Sequence, residues 1–186
     1  DSDQQFSIAL LNIDNFKHVN NSVSYSVGDD LLITIAKALE SFVEGDDFIV
    51  RFSGDEFVYV YMNDINRERL AEKVKALNNK FDRIWPIDNY EFYTTVSIGV
   101  SRYPLDGDRY STILRNANIT MEQVKKAGKN SYLFYEEEFK WRNLDNILLA
   151  KKMQRAIDEE TFELYYQPMI DIETGKIHAI EGLLRW

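Results

Sequence analysis

Asp55 and Glu56 are the residues of this chain best placed to do chemistry. They sit side by side in Arg51-Phe-Ser-Gly-Asp-Glu-Phe-Val-Tyr-Val-Tyr61. Paired carboxylates can hold a hard cation or move a proton. An apolar run from Phe48 leads into this stretch and alternating residues follow it, so two strands are predicted with Ser53-Gly54 turning between them. Gly54 is free to take a positive φ. The hairpin therefore carries both carboxylates at its tip. A bare Gly-Asp-Glu is more often a solvated acidic turn, so its meaning depends on the elements that surround it.

Those elements follow from periodicity. Residues 6–13 are nearly continuous apolar sequence and read as a buried strand, which ends in the polar stretch Asn12-Ile13-Asp14-Asn15-Phe16-Lys17. A short helical turn through Asn20 is expected next. Gly28-Asp29-Asp30 then precedes the helical spacing of Leu31, Leu32, Ile35, Ala36, Leu39, Phe42 and Val43, which puts both aspartates in a first turn. Asp64 is expected to cap a helix with Leu70, Val74, Leu77 and Phe81 on one face. Pro86 and Asn89 mark a loop before a single strand over about residues 91–100, and Ser111 is expected to cap a helix bearing Ile113, Leu114, Ala117, Met121 and Val124. Gly128 ends that helix and residues 131–135 form a closing strand.

The order β-α-β-β-α-β predicts an α+β fold: a ferredoxin-like antiparallel sheet core with helices packed on one face. Residues 1–135 make this first domain. Glu136-Glu137-Glu138 breaks the pattern, and Leu144, Ile147, Leu148, Met153, Ala156 and Ile157 give an amphipathic connector helix over residues 136–160. Residues 161–186 read as a hairpin with no core of its own.

Composition narrows the function. The chain has 186 residues, 45% of them hydrophobic and 28% charged, enough for one good core. A net charge of −9 argues against nucleic-acid partners and against direct contact with an anionic membrane. The absence of cysteine excludes disulfides and thiolate metal sites and suits a reducing, cytoplasmic compartment. No stretch has the length of a membrane span. The chain opens on Asp1 rather than Met, so a longer protein is expected, with any membrane anchor upstream.

Asp14-Asn-Phe-Lys17, Asn20, Gly28-Asp29, Arg51-Phe-Ser-Gly-Asp-Glu-Phe57, Val96-Ser-Ile-Gly99 and Lys125-Lys-Ala-Gly-Lys-Asn130 occur in the order and about the spacing of GGDEF domains. On these six signals the first domain resembles that family, the diguanylate cyclases of cyclic-di-GMP signalling, with a nucleotide-cyclase-like core. Tyr166-Gln-Pro168 and Glu181-Gly-Leu-Leu-Arg-Trp186 likewise resemble the opening of an EAL domain, the cyclic-di-GMP phosphodiesterase. The resemblance implies a Mg²⁺- or Mn²⁺-dependent condensation of two GTP molecules across a homodimer held through upstream domains. Asp55 would then assist the transition state, while Glu56 and the backbone carbonyl of Ile13 would ligate metal. Asn20 and Asp29 would read guanine. Phe16 and Lys17 through their amides, with Lys125 and Lys129, would hold phosphates. Glu181 would be a metal ligand of the EAL domain, where cyclic-di-GMP binds. Each role has a plainer rival: a helix-dipole partner for Asp29, end-of-helix cations for Lys125 and Lys129, a turn residue for Asn20.

The departures from the family lie at the active site. Its metal-binding aspartate is Asn12 here, a neutral ligand for a cation that selects charged oxygen, and Asp14 is the possible substitute. Ser53 replaces a glycine, Ser24-Tyr25 a Gly-His pair, and Gly182 an alanine. Glu44-Gly-Asp-Asp47 stands where product-inhibited members carry Arg-x-x-Asp, so no inhibitory cyclic-di-GMP site is expected. A degenerate domain that binds GTP and regulates an attached EAL phosphodiesterase is the leading expectation. An active or weakly active cyclase and a non-binding dimerisation module are the alternatives.

Overall fold

The computed structural model describes residues 4–186, except the side chains of residues 142–147. Its elements are β1 (Phe6–Ile13), α1 (Phe16–Ser22), α2 (Tyr25–Glu40), β2 (Phe48–Ser53), β3 (Glu56–Met62), α3 (Arg67–Phe81), β4 (Arg83–Ile87), β5 (Tyr90–Thr94), β6 (Val96–Tyr103), α4 (Tyr110–Lys126), β7 (Ser131–Phe134), α5 (Glu137–Asp158), β8 (Glu163–Ile170) and β9 (Ile177–Arg185). Two compact units result, Asp1–Lys140 and Trp141–Trp186.

The first unit is built on a five-stranded sheet of order β2-β3-β1-β6-β7. β1 lies at its centre, antiparallel to both β3 and β6, while β7 runs parallel to β6. A strand with neighbours on both sides and cover on both faces must be apolar throughout, which is why its run shows no alternation. Ala9, Leu11 and Ile13 join the core beneath α2 and α3, with Leu31, Ile35, Leu70 and Val74. Ile8 and Leu10 join a smaller core beneath α4, with Ile113, Ala117 and Met121. The helices therefore cover both faces of the sheet, which corrects the expectation of one. The reason lies in β1 and β3, which bury residues of both parities.

Local signals went astray in five places. The strand expected over residues 91–100 is two, divided at Thr95, and β5 pairs with β4 in a separate two-stranded sheet. Pro86 sits inside β4 and not in a loop, tolerated because β4 has one partner only. Trp85 and Ile87 are buried there against Phe81. α2 begins at Tyr25, capped by the Ser24 side chain, which accepts from Val27 N at 3.3 Å. Asp29 and Asp30 thus fall beyond the first turn. Asn66 caps α3, accepting from Arg69 N at 2.9 Å; Asp64 instead braces the entry, accepting from Asn66 N and pairing with Arg69 and Lys73. Ser111 lies within the first turn of α4, whose N-cap is Arg109 without a side-chain cap bond.

In the second unit β8 and β9 form an antiparallel hairpin in which Glu181 faces Gln167. Nearly every side chain of the hairpin is exposed. Leu148, Met153 and Ile157 of α5 are exposed and Ala156 is buried, while Leu144 and Ile147 lie outside the described side chains. Among the described residues no helix is long and apolar enough to cross a membrane.

Candidate functional site

The site forms where β1 ends, between the β2–β3 tip on one side and β6 with the α4–β7 loop on the other. Strand register does the first part of the positioning. Asn12 stands directly opposite Glu56 on β3 and opposite Ser97 on β6. Ile13 N donates to the Asp55 carbonyl at 3.1 Å and so ties the hairpin tip to the strand end. Gly54 takes φ 49°, which lets the tip turn tightly enough to present both acids.

Asp55 and Glu56 point into different surroundings, as neighbours on an extended chain do. Asp55 lines an open depression of about 270 Å³ with Asn12, Ile13, Asp14, Asn15, Phe16, Lys17, His18, Lys125 and Lys129. Glu56 borders another hollow, beside Leu10, Phe52 and the first turns of α4. Partial burial pushes the Glu56 carboxyl above the ordinary carboxylate value. Lys125 opposes that rise, Asp55 and Glu122 add to it, and a hydrogen bond with the Asn12 side chain lowers it again. A carboxylate only accepts, so the Asn12 amide is the donor.

Asp14 is buried and fully engaged. Its Oδ1 accepts from Ser97 Oγ at 2.7 Å, and its Oδ2 accepts from Thr95 Oγ1 at 2.7 Å and Asn130 N at 3.1 Å. Its carbonyl accepts from Thr94 Oγ1 at 3.0 Å. This one side chain joins β1 to β6 and to the loop after α4. The loop needs the anchor, because Lys129 and Asn130 both adopt left-handed backbone, φ 66° and 45°. Lys129 Nζ in turn donates to Asn15 Oδ1 at 2.7 Å, and Lys125 Nζ to Glu122 Oε1 at 2.9 Å.

Of the residues singled out from sequence, the fold brings Asn12, Ile13, Asp14, Phe16, Lys17, Asp55, Lys125 and Lys129 to one depression, while Glu56 lines a different hollow. Asn20 and Asp29 are outside that lining, on α1 and α2. Asn20 Oδ1 is buried with no hydrogen-bond partner among the described residues. Gly28 is packed so closely on it that a β-carbon there would collide with the amide oxygen. Asp29 is exposed, one residue further along α2. Glu181 belongs to the second unit and is exposed on β9. Residue-by-residue reading missed the roles of Asn15, Thr95, Ser97, Glu122 and Asn130. A signal existed for Asn15, since Asn tolerates the left-handed conformation, φ 61°, that it adopts before α1.

A mixed sheet with helices on both faces and a carboxylate-tipped hairpin beside the central strand defines a nucleotide-cyclase-like domain. The family model "Diguanylate cyclase, GGDEF domain" matches residues 1–131, and the chain belongs to that family, which places it in cyclic-di-GMP signalling. It is 31% identical over 186 residues to the bifunctional diguanylate cyclase/cyclic di-GMP phosphodiesterase MucR of Pseudomonas aeruginosa, covering 99% of this chain and 27% of MucR. It is 29% identical over 181 residues to the cyclic di-GMP phosphodiesterase NbdA of the same organism, covering 97% of this chain and 23% of NbdA. The chain thus spans about a quarter of the length of these relatives. Among solved structures, an EAL/GGDEF domain protein from M. capsulatus superposes with a TM-score of 0.67 at 28% identity, covering 72% of this chain and 86% of that one.

Proposed function

We propose that residues 1–135 form a degenerate GGDEF domain that binds GTP with little or no turnover. It regulates an EAL phosphodiesterase, which begins at residue 161 and is joined through the connector of residues 136–160. The observation that carries this reading is the Asn12–Glu56 pair. At the position where the family carries a metal-binding aspartate, this chain presents a neutral amide directly opposite Glu56.

Members of the family use Mg²⁺ or Mn²⁺, which favours charged, hard oxygen ligands. The donors here fit such an ion poorly. Asn12 is neutral, and both oxygens of Asp14 already accept hydrogen bonds, which leaves Glu56 and the Ile13 carbonyl. Among the described residues, no group of three His, Cys, Asp or Glu side chains converges to hold a metal. Loss of one charged contact to the reacting centre costs about 100-fold or more in turnover.

The binding parts are better preserved. The Phe16 and Lys17 amides, Lys125 and Lys129 face the depression and supply the donors and positive charge that phosphates need. Asn20, whose side chain packs on Gly28 with its Oδ1 unpartnered, and Asp29 on the residue after Gly28 would read the guanine edge. Asp55 would orient the attacking hydroxyl in an active homologue. In this domain it borders the bound nucleotide. Glu181 would serve the EAL domain as a metal ligand.

The test is a pair of measurements on the full-length dimeric protein: GTP binding by calorimetry, and cyclic-di-GMP formation from GTP with Mg²⁺. Binding without product supports the proposal. Steady product formation would make the domain a working cyclase, and absence of binding would make it a dimerisation module.

A further inference from the structure

The end of β1 fits a triphosphate better than a divalent cation, and the mismatch has a functional consequence. Three features withdraw oxygen ligands from a metal. Asn12 carries only a neutral amide, which stands opposite Glu56 in the strand register. Asp14 accepts from Ser97 and Thr95 side chains and from Asn130 N, and is buried. Asn15 Oδ1 accepts from Lys129 Nζ. Three cations, Lys17, Lys125 and Lys129, meanwhile line the same depression. Lys125 is paired with Glu122, but that pair is partly exposed, 26% and 46%, so exchanging Glu122 for a phosphate costs little. Lys129 is held by a neutral amide and keeps its full charge for an anion.

We infer that this domain binds the triphosphate of GTP through its lysines alone, so that nucleotide affinity does not depend on a divalent cation. The inference rests on the proposed GTP binding and adds how the phosphates are neutralised. In a site built around two metal-binding acids, removing the metal leaves acids facing phosphates, and affinity collapses. Here Asp14, which lines the depression, is bonded away in its clamp, and the Asn12 position carries no charge. Metal removal then exposes no new repulsion except from Asp55, which lines the same depression, and from Glu56 in the neighbouring hollow.

The test is calorimetric titration of GTP into the protein in excess EDTA and again in millimolar Mg²⁺. The expected dissociation constants agree within about twofold, roughly 0.4 kcal/mol. Lys17→Ala and Lys125→Gln each weaken binding about tenfold, equally in both buffers. Asn12→Asp makes binding metal-dependent, about tenfold weaker in EDTA than in Mg²⁺. A wild-type affinity at least tenfold weaker in EDTA overturns the inference and leaves GTP binding intact. No heat in either buffer at millimolar GTP overturns both.

Discussion

The lysine-lined depression and the Asn12–Glu56 corner share one strand end but are held in place differently. On the lysine side, a buried carboxylate clamps three elements at once: Asp14 reaches Ser97, Thr95 and the Asn130 amide. On the corner side, a single amide faces a half-buried acid across two strands. The first arrangement spends a charge to fix geometry. The second carries a neutral amide opposite its acid and is held by strand register and by the Ile13 N to Asp55 carbonyl bond. On the proposed reading scaffold and reactivity are separable here, with a phosphate cradle kept beside a metal corner that has lapsed.

The sharpest way to break the comparison is to remove the clamp. Asp14→Ala leaves two hydroxyls and one amide without their buried acceptor, at about 1 kcal/mol each, so a loss of about 3 kcal/mol is expected. For a chain of this size that lowers Tm by about 6–12 °C. Thermal unfolding followed by circular dichroism measures it, and an unchanged Tm would show that the clamp does not stabilise the loop.

Asn12→Asp addresses the opposite region. It restores a third acid beside Asp55 and Glu56, and cyclic-di-GMP formation should rise at least about tenfold under enforced dimerisation, about 1.4 kcal/mol of transition-state stabilisation. Without metal the same change slightly destabilises the fold, because clustered carboxylates repel one another. A variant as silent as wild type across a Mg²⁺ titration would move the block to the Ser24-Tyr25 helix start or to dimer geometry.

Base recognition gives a smaller effect. GTP is expected to bind about tenfold more tightly than ATP, because Asn20 offers an unpartnered acceptor and an acid opposes the adenine N1 acceptor. Asn20→Ala should remove most of that preference. Equal affinities in wild type would refute the assignment.

The smallest expected effect is a pH dependence. Partial burial raises the Glu56 carboxyl in the folded chain above its unfolded value, so the folded state holds the proton more tightly. The contribution of this group to stability therefore falls as pH rises from about 4.5 through the raised value. Glu56→Gln, which mimics the protonated form, should be more stable than wild type at neutral pH and indistinguishable from it below about pH 4.5. Urea unfolding at the two pH values separates the outcomes, and a difference of the opposite sign would contradict the burial argument.

Much of this could be read from the chain alone. The apolar run of residues 6–13, the apolar stretch after Glu56 and the helical spacing of Leu70, Val74, Leu77 and Phe81 each became the expected element, although β3 is buried on both faces and not on alternate residues. The acid-tipped hairpin was equally legible, since Ser53-Gly54 between two apolar runs leaves few alternatives. Helix starts were not, because Asp64 and Ser111 carry the same capping chemistry as Asn66 and Ser24. Tertiary contacts decide which of them is used: Asp64 is drawn inward to Arg69 and Lys73. The division at Thr95 was hidden for the same reason. Propensity favours one long strand there, but the Thr95 side chain and carbonyl are both committed to Asp14.

The sequence by itself determined which residues are available at the site, since residue type fixes that Asn12 cannot carry a charge and that Lys17, Lys125 and Lys129 must. Only the tertiary structure decided what those residues are free to do. Asp14 and Asn12 both lie at the end of β1 and look interchangeable as ligands in one dimension. Contacts from residues 94–97 and 130, at least 80 positions away in the chain, engage one of them completely, and the register with β3 places the other opposite Glu56. Hydrogen-bond saturation depends on neighbours brought together by folding, and no local pattern of residue types encodes it.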